Sequence, residues 1–198
     1  MWTGGAGFGG VGLMPVLVTL LRGVNVSGAR PLRMAALTAI YEKLGFREVR
    51  TYLQSGNAVC RVPAGSPARH ASAIERALAK ACGFDVPVAA LTGKALAAVV
   101  ASNPLLRSGS ADPAFLHATF LMGPAVATLM DRAGLPLGPG EDAVQVGNIM
   151  YLYCPNGYVT TKINNAYFER KLKVRATTRN WRTVLALKQM ALVGPLSL

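Results

Sequence analysis

Acidic side chains are scarce in this chain. Nine Asp and Glu stand against 21 Lys and Arg in 198 residues, a formal net charge of +12. A protein so basic favours anionic partners: nucleic acid, phosphorylated metabolites or acidic surfaces. Histidine is scarcer still, with only His70 and His117, so no metal-ligand cluster and no metal site is expected. The cysteines Cys60, Cys82 and Cys154 are odd in number, scattered and without a C-x-x-C spacing. They read as reduced, buried thiols of a cytoplasmic protein rather than a disulfide framework. No apolar run reaches the roughly 20 residues that span a bilayer, so no membrane partner is expected.

Familiar catalytic signatures are also missing. There is no G-x-S-x-G elbow and no Cys beside a His in an evident triad. Gly28-Ala29-Arg30 does not continue into the Gly-Lys-Ser/Thr of a phosphate-binding P-loop. Gly5-Ala6-Gly7-Phe8-Gly9-Gly10 formally fits G-x-G-x-x-G, but no strand precedes it and no helix follows it, so the dinucleotide reading fails. No cofactor is therefore expected. Residues 1–15 are Gly-rich and uncharged, and they lack the basic start and longer apolar core of a signal peptide. They read as a flexible N-terminal extension, with Met14 as an alternative start.

What is present is ample core material. Fifty-two per cent of the residues are hydrophobic, enough to exclude disorder over most of the chain. Charge is distributed unevenly. Residues 16–62 hold seven Arg and Lys against Glu42 and Glu48, a net +5. Residues 63–159 hold six of each sign, and residues 160–198 hold eight Arg and Lys against Glu169 alone, a net +7. Two basic ends thus flank a neutral middle; they form one positive surface only if the fold brings them together.

The pattern of elements predicts an α+β protein. Residues 16–21 are a short β-branched run, read as a buried strand. Arg22 to Gly28 is a loop with exposed backbone amides. Met34, Leu37, Ile40, Tyr41 and Leu44 fall at helical spacing, and Gly45 ends that helix. Residues 48–53 and 58–62 pair as a hairpin around Gln54-Ser55-Gly56-Asn57. A helix over 66–81 and a strand over 86–91, with Pro87 at its start or on an edge, complete a βαββαβ order. His70 on that helix reads as a packed histidine.

After a connecting helix over 92–102 and a linker at 107–113, the order repeats less cleanly. Strands are expected over 115–122, 143–146 and 149–154, with helices over 125–133 and 161–172. A brief strand is expected over 174–177, and a last helix over 178–192 with Thr177 or Thr178 as its cap. Gly147-Asn148 suits a hairpin turn. His117 alternates onto a sheet face, where it reads either as a half-buried structural histidine or as an acid or base. The expected organisation is an extension at 1–15, a first ferredoxin-like subdomain with connecting helix at 16–102, and a second with the C-terminal helix at 103–198.

Four stretches carry a family resemblance. They are Leu20 to Gly28; Leu44-Gly45-Phe46 with Thr51 to Asn57; Tyr151-Leu152 with Pro155-Asn156-Gly157 and Thr161-Lys162; and Ala176-Thr177-Thr178-Arg179-Asn180-Trp181 with Thr183-Val184-Leu185. On these the chain resembles the DUF1697 proteins, a bacterial family of unknown function. The resemblance implies a pair of ferredoxin-like subdomains and brings no activity with it. Ser27 stands where the family usually has Gly, and Arg182 where Asn is frequent.

The polar residues of these stretches nominate a ligand site: Arg22, Asn25, Gln54, Ser55, Asn57, Lys162, Thr178, Arg179 and Asn180. They are amides, hydroxyls and cations without a carboxylate, suited to phosphate or carboxylate recognition and poor as general bases. Turn and cap chemistry explains each stretch separately just as well. On a helical wheel Trp181, Val184, Leu185 and Leu192 form the apolar side of the last helix, with Arg179, Arg182 and Gln189 opposite. Lys188 falls inside the apolar arc, its stem packed and its ammonium snorkelling.

Three functions follow. One is an anion-binding protein for nucleic acid or a nucleotide. Residues 16–21 and 57–62 lack the stacking aromatics of a standard RNA-binding plait. The second is an enzyme on a small phosphorylated or carboxylated substrate in the cleft between subdomains, with Arg22, Arg179 and Lys162 holding the anion and His117 or Tyr52 moving protons. The third is a non-catalytic interaction module, a homodimer by sheet pairing.

Overall fold

Val16–Leu21 forms β1, and every residue from Leu17 to Leu21 is buried. Such a run has no polar face because both of its faces are covered. Leu17 and Leu21 point into one hydrophobic cluster. Val18 and Leu20 point into another. The period of two along the strand thus divides two cores.

The computed structural model describes residues 14–193 except 27, 29, 108–111, 124–129 and 131. After β1 come α1 (Met34–Lys43), β2 (Arg47–Tyr52), β3 (Asn57–Arg61), α2 (Pro67–Cys82), β4 (Val88–Thr92), α3 (Gly93–Ala101) and α4 (Pro104–Arg107). Then follow β5 (Leu116–Met122), β6 (Asp142–Val146), β7 (Ile149–Tyr153), α5 (Asn165–Leu172), β8 (Arg175–Asn180) and α6 (Trp181–Leu192). The strands form two four-stranded antiparallel sheets, ordered β2-β3-β1-β4 and β6-β7-β5-β8. Both have the strand order of a βαββαβ plait. The helix expected over 125–133 lies largely outside the described residues; Arg132–Gly134 is a 3-10 turn. Residues 1–13 of the extension expected at 1–15 and most of the linker at 107–113 also fall outside them.

Local chemistry sets the helix ends. Ser66 Oγ accepts from the Arg69 N–H ahead of α2, with Pro67 in the first turn, and Gly83 closes the helix at φ 77°. Thr92 caps α3 and Asn164 caps α5 in the same way. His70 packs edge-on to Phe46, and its Nε2 lies 3.1 Å from the Pro63 carbonyl.

Three clusters make the interior. One lies between the first sheet and α1 and α2, around Leu37, Tyr41, Ile74 and Leu78. Another lies on the outer face of the second sheet, around Met150, Leu152, Tyr167 and Phe168. Between them, Val18, Leu20 and Val59 of the first sheet join Leu116, Ala118, Phe120 and Tyr151 of the second. Leu96 and Val99 of α3 and Trp181, Val184 and Leu187 of α6 belong to the same cluster. The two plaits therefore share a core. Among the described residues no helix is long and apolar enough to cross a membrane.

The C-terminal region corrects the expected boundaries. The last helix starts at Trp181, not residue 178, and Asn180 caps it: its Oδ1 accepts from the Thr183 N–H at 2.8 Å. Thr177 and Thr178 lie on β8. Their β-branched side chains suit the strand, and pairing with β5 extends it to Asn180. Arg179 therefore belongs to no helical face. The buried face of α6 is Trp181, Thr183, Val184 and Leu187, whereas Leu185 and Leu192 are exposed. Lys188 is half-buried on it. The helix expected from residue 161 starts at Asn165, because Asn164 offers the cap.

Candidate anion-binding cleft

A glycine fixes one wall. Gly56 closes the β2–β3 hairpin at φ 72°, and a Cβ there would lie 2.7 Å from both Leu21 Cβ and Val24 Cγ2. This close approach sets the hairpin tip against the loop that follows β1. Asn25 ties the same two segments together. Its Nδ2 donates to the carbonyls of Leu32 and Gln54, and its Oδ1 accepts from the Leu32 N–H, at 2.7–2.8 Å.

The opposite wall comes from β8 and the starts of α5 and α6. Between the walls lies a cleft of about 290 Å³, lined by residues including Arg22, Val26, Leu53, Ser55, Asn165, Thr177, Thr178, Arg179, Asn180 and Thr183. No described lining residue is a carboxylate. A larger groove of about 630 Å³ runs along β4, lined mainly by apolar side chains together with Glu75 and Arg175, which form an ion pair. It contains none of the nominated residues.

Arg179 is the centre of the cleft wall and is only 9% exposed. Its Nε donates to Asn57 Oδ1. Nη1 donates to Thr177 Oγ1 at 2.8 Å and the Thr178 carbonyl at 2.9 Å. Nη2 donates to the carbonyls of Leu21 at 2.7 Å and Ser55 at 3.1 Å. All five donors of the guanidinium are thus engaged, and every acceptor is neutral. Burial, reinforced by the nearby Arg22 charge, lowers its pKa to about 10. It still carries its charge at neutral pH.

Arg22 lies partly exposed beside it, its Nε and Nη2 each 3.1 Å from the Glu169 carboxylate. That pair joins residues 147 positions apart. Glu169 also accepts from the Ala176 N–H at 3.1 Å. With Arg22 and Glu169 cancelling, Arg179 leaves one positive charge in the wall.

Beneath the wall runs a hydroxyl network. Thr178 Oγ1 donates to Asn165 Oδ1 at 2.7 Å and accepts from Tyr158 at 2.9 Å, and Thr119 Oγ1 lies 2.7 Å away. Burial raises the Tyr158 pKa, against the Thr178 hydrogen bond, the Asn165 backbone and the Arg22 charge. His117 stacks on Tyr158 with ring centroids 4.9 Å apart, and its Nδ1 lies 3.2 Å from the Phe115 carbonyl. Burial lowers its pKa despite that bond, so it is neutral at pH 7.

Of the nominated residues, Arg22, Ser55, Thr178, Arg179 and Asn180 meet in the cleft lining. Asn57 is fully buried behind it, donating to Ser55 Oγ and the Tyr52 carbonyl. Asn25 holds the wall. Gln54 is exposed at the hairpin tip, and Lys162 is exposed outside the lining. His117 and Tyr52 are outside it as well, so the proton movers of the enzyme reading do not face this cleft. Asn165, Thr177 and Thr183 line it as well. Of the two adjacent amides, Asn164 serves the cap of α5 and Asn165 faces the cleft.

Two four-stranded antiparallel sheets in this order, with helices between their strands and a C-terminal helix, define a tandem ferredoxin-like α+β protein. The chain belongs to the DUF1697 family: the family model described as "Protein of unknown function (DUF1697)" matches residues 14–151. The solved structure of a conserved bacterial protein from Streptococcus pneumoniae is similar to it, with a TM-score of 0.65 at 25% identity, covering 89% of this chain and 98% of that one. No curated protein matches the chain.

Proposed function

We propose that this protein binds a phosphate- or carboxylate-bearing small molecule, a nucleotide included, in the cleft between its two plaits. The observation that carries this reading is the buried Arg179 charge, which has neutral hydrogen-bond partners and, among the described residues, no ion pair. A buried cation is normally paired, since its desolvation is costly. An anion in the cleft supplies the missing charge. Arg179 acts on it through its field, because its donors face inward. Direct contacts fall to Arg22 Nη1, the Ser55 hydroxyl and the Asn165 and Asn180 amide groups. The two basic ends of the sequence meet here through Arg22 and Arg179. A cleft of about 290 Å³ suits a small ligand or a terminal phosphate better than a duplex.

Isothermal titration calorimetry with inorganic phosphate and with a mixed-sequence oligonucleotide, at low and at moderate salt, tests the reading. Phosphate binding that weakens with salt and with Arg22→Gln is expected. No heat with phosphate at low salt overturns it. Oligonucleotide binding without phosphate binding replaces the cleft with a surface footprint.

A further inference from the structure

Two large aliphatic side chains stand at the rim of the cleft and face water. Val26 is 58% exposed and Leu53 is 56% exposed, and both line the cleft beside Arg22 and Ser55. Leu53 is also held at φ 57°, a left-handed conformation that is strained for a bulky residue. Asn or Gly would relieve that strain and leave less apolar surface in water in the folded protein. An anion alone gives these side chains nothing to contact.

Resting on the anion-binding reading above, we infer that the ligand is a mononucleotide, its phosphate on the Arg22–Ser55–Asn165 side and its base lying against Val26 and Leu53. The apolar rim is two side chains wide, which matches one flat ring system rather than a long acyl chain. Amide groups adjoin it: Gln54 follows Leu53 at the exposed hairpin tip, and Asn180 lines the cleft opposite. Amides can hydrogen-bond the edge of a base, whereas an alkyl chain has no use for them. The cleft thus combines an apolar surface with a few convergent polar groups, as nucleotide-sized ligand sites do.

The test is calorimetry on the full chain at low salt with inorganic phosphate, adenosine monophosphate, adenosine and butyl phosphate. Adenosine monophosphate should bind at least about tenfold tighter than phosphate, a gain within reach of one ring on apolar side chains. Adenosine should bind far more weakly than its phosphate. Leu53→Asn with Val26→Thr should abolish the tenfold advantage, so that the nucleotide binds the variant no tighter than phosphate binds the same variant. Asn tolerates the left-handed backbone and Thr keeps the shape of Val, so folding is preserved; Val26→Thr alone should halve the advantage or more if the pair is poorly folded. If phosphate and the nucleotide bind equally, the base contact is wrong and the anion site stands. If butyl phosphate matches the nucleotide, the rim reads alkyl groups and the inference fails. An advantage that survives the substitutions removes Val26 and Leu53 from the site. If neither phosphate nor nucleotide binds, the anion reading falls and this inference with it.

Discussion

Arg179 on β8 donates from Nε to Oδ1 of Asn57 on β3, a residue 122 positions earlier in the chain. This bond, with those from Nη2 to Leu21 and Ser55, fastens the last strand of the second sheet to β1 and the β2–β3 hairpin of the first. Arg50 of β2 does the same at the far end of α6, donating to the Met190 and Val193 carbonyls. The C-terminal helix is thereby held to the first sheet near both of its ends.

Arg179→Met should destabilise the protein by about 3 kcal/mol or more in urea unfolding. The substitution removes a buried charge, which is favourable by itself. It also strands several buried acceptors, each at about 1–3 kcal/mol, and the acceptors outweigh the charge. Arg179→Lys should recover little, because three ammonium donors cannot serve five fixed positions. A variant as stable as the parent would mean that the guanidinium is not the staple described here.

The Arg22–Glu169 pair competes with a ligand for Arg22. Glu169→Gln should strengthen phosphate binding a few-fold, and Arg22→Gln should weaken it about tenfold or more, on the scale of charge-assisted hydrogen bonds. Their effect on stability should be small, about 1 kcal/mol or less, since both side chains are partly exposed. Phosphate titrations of the two single variants and the double variant read this directly.

Gly56→Ala should destabilise by roughly 2–4 kcal/mol, because the methyl meets Leu21 and Val24 and the backbone is left-handed. Ligand affinity should fall as well, since the hairpin tip forms a cleft wall. Gly83→Ala, also left-handed but with open space around it, should cost about 1 kcal/mol and leave binding alone. Thermal melts beside phosphate titrations separate the two.

Burial pushes the Cys60 thiol from an ordinary value of 9.0 up to about 12. The folded state then keeps a proton that the unfolded chain releases above pH 9. The group's stabilising effect is complete below pH 9 and is lost as pH rises toward 12. The loss has an upper limit on the order of 4 kcal/mol. Cys60→Ala should flatten the fall in stability between pH 9 and 11. Cys82, half-buried, should be the first thiol to react with a disulfide reagent in the folded protein.

Asn180→Ala should lower stability by about 1 kcal/mol through the lost cap of α6, and Asn180→Ser should restore it. If binding falls in both variants while stability falls only in the first, the Asn180 amide reaches the ligand as well as the helix.

Much of the fold is written in local pattern. The mainly apolar run of β1, Gly45 and Gly83 after their helices, and Gln54-Ser55-Gly56 between two strands are decided by backbone conformation and burial close in sequence. The end of β8 is different. Thr177 and Thr178 are good caps and good strand residues, and only pairing with β5 chooses the strand. The helix over 161–164 failed for a similar reason, since a capping Asn overrode an unremarkable helical pattern.

By itself the sequence determined a basic α+β chain, two βαββαβ orders and a set of amides, hydroxyls and arginines without carboxylates. These are matters of composition, period and turn chemistry, which short segments settle alone. Only the tertiary structure decided that Arg22, Ser55, Thr178, Arg179 and Asn180 share one cleft while Lys162 does not. It also turned the Arg179 donors inward and left its charge without an ion-pair partner among the described residues. Those outcomes depend on two sheets meeting through a common core, and no local pattern encodes which loops that meeting brings together.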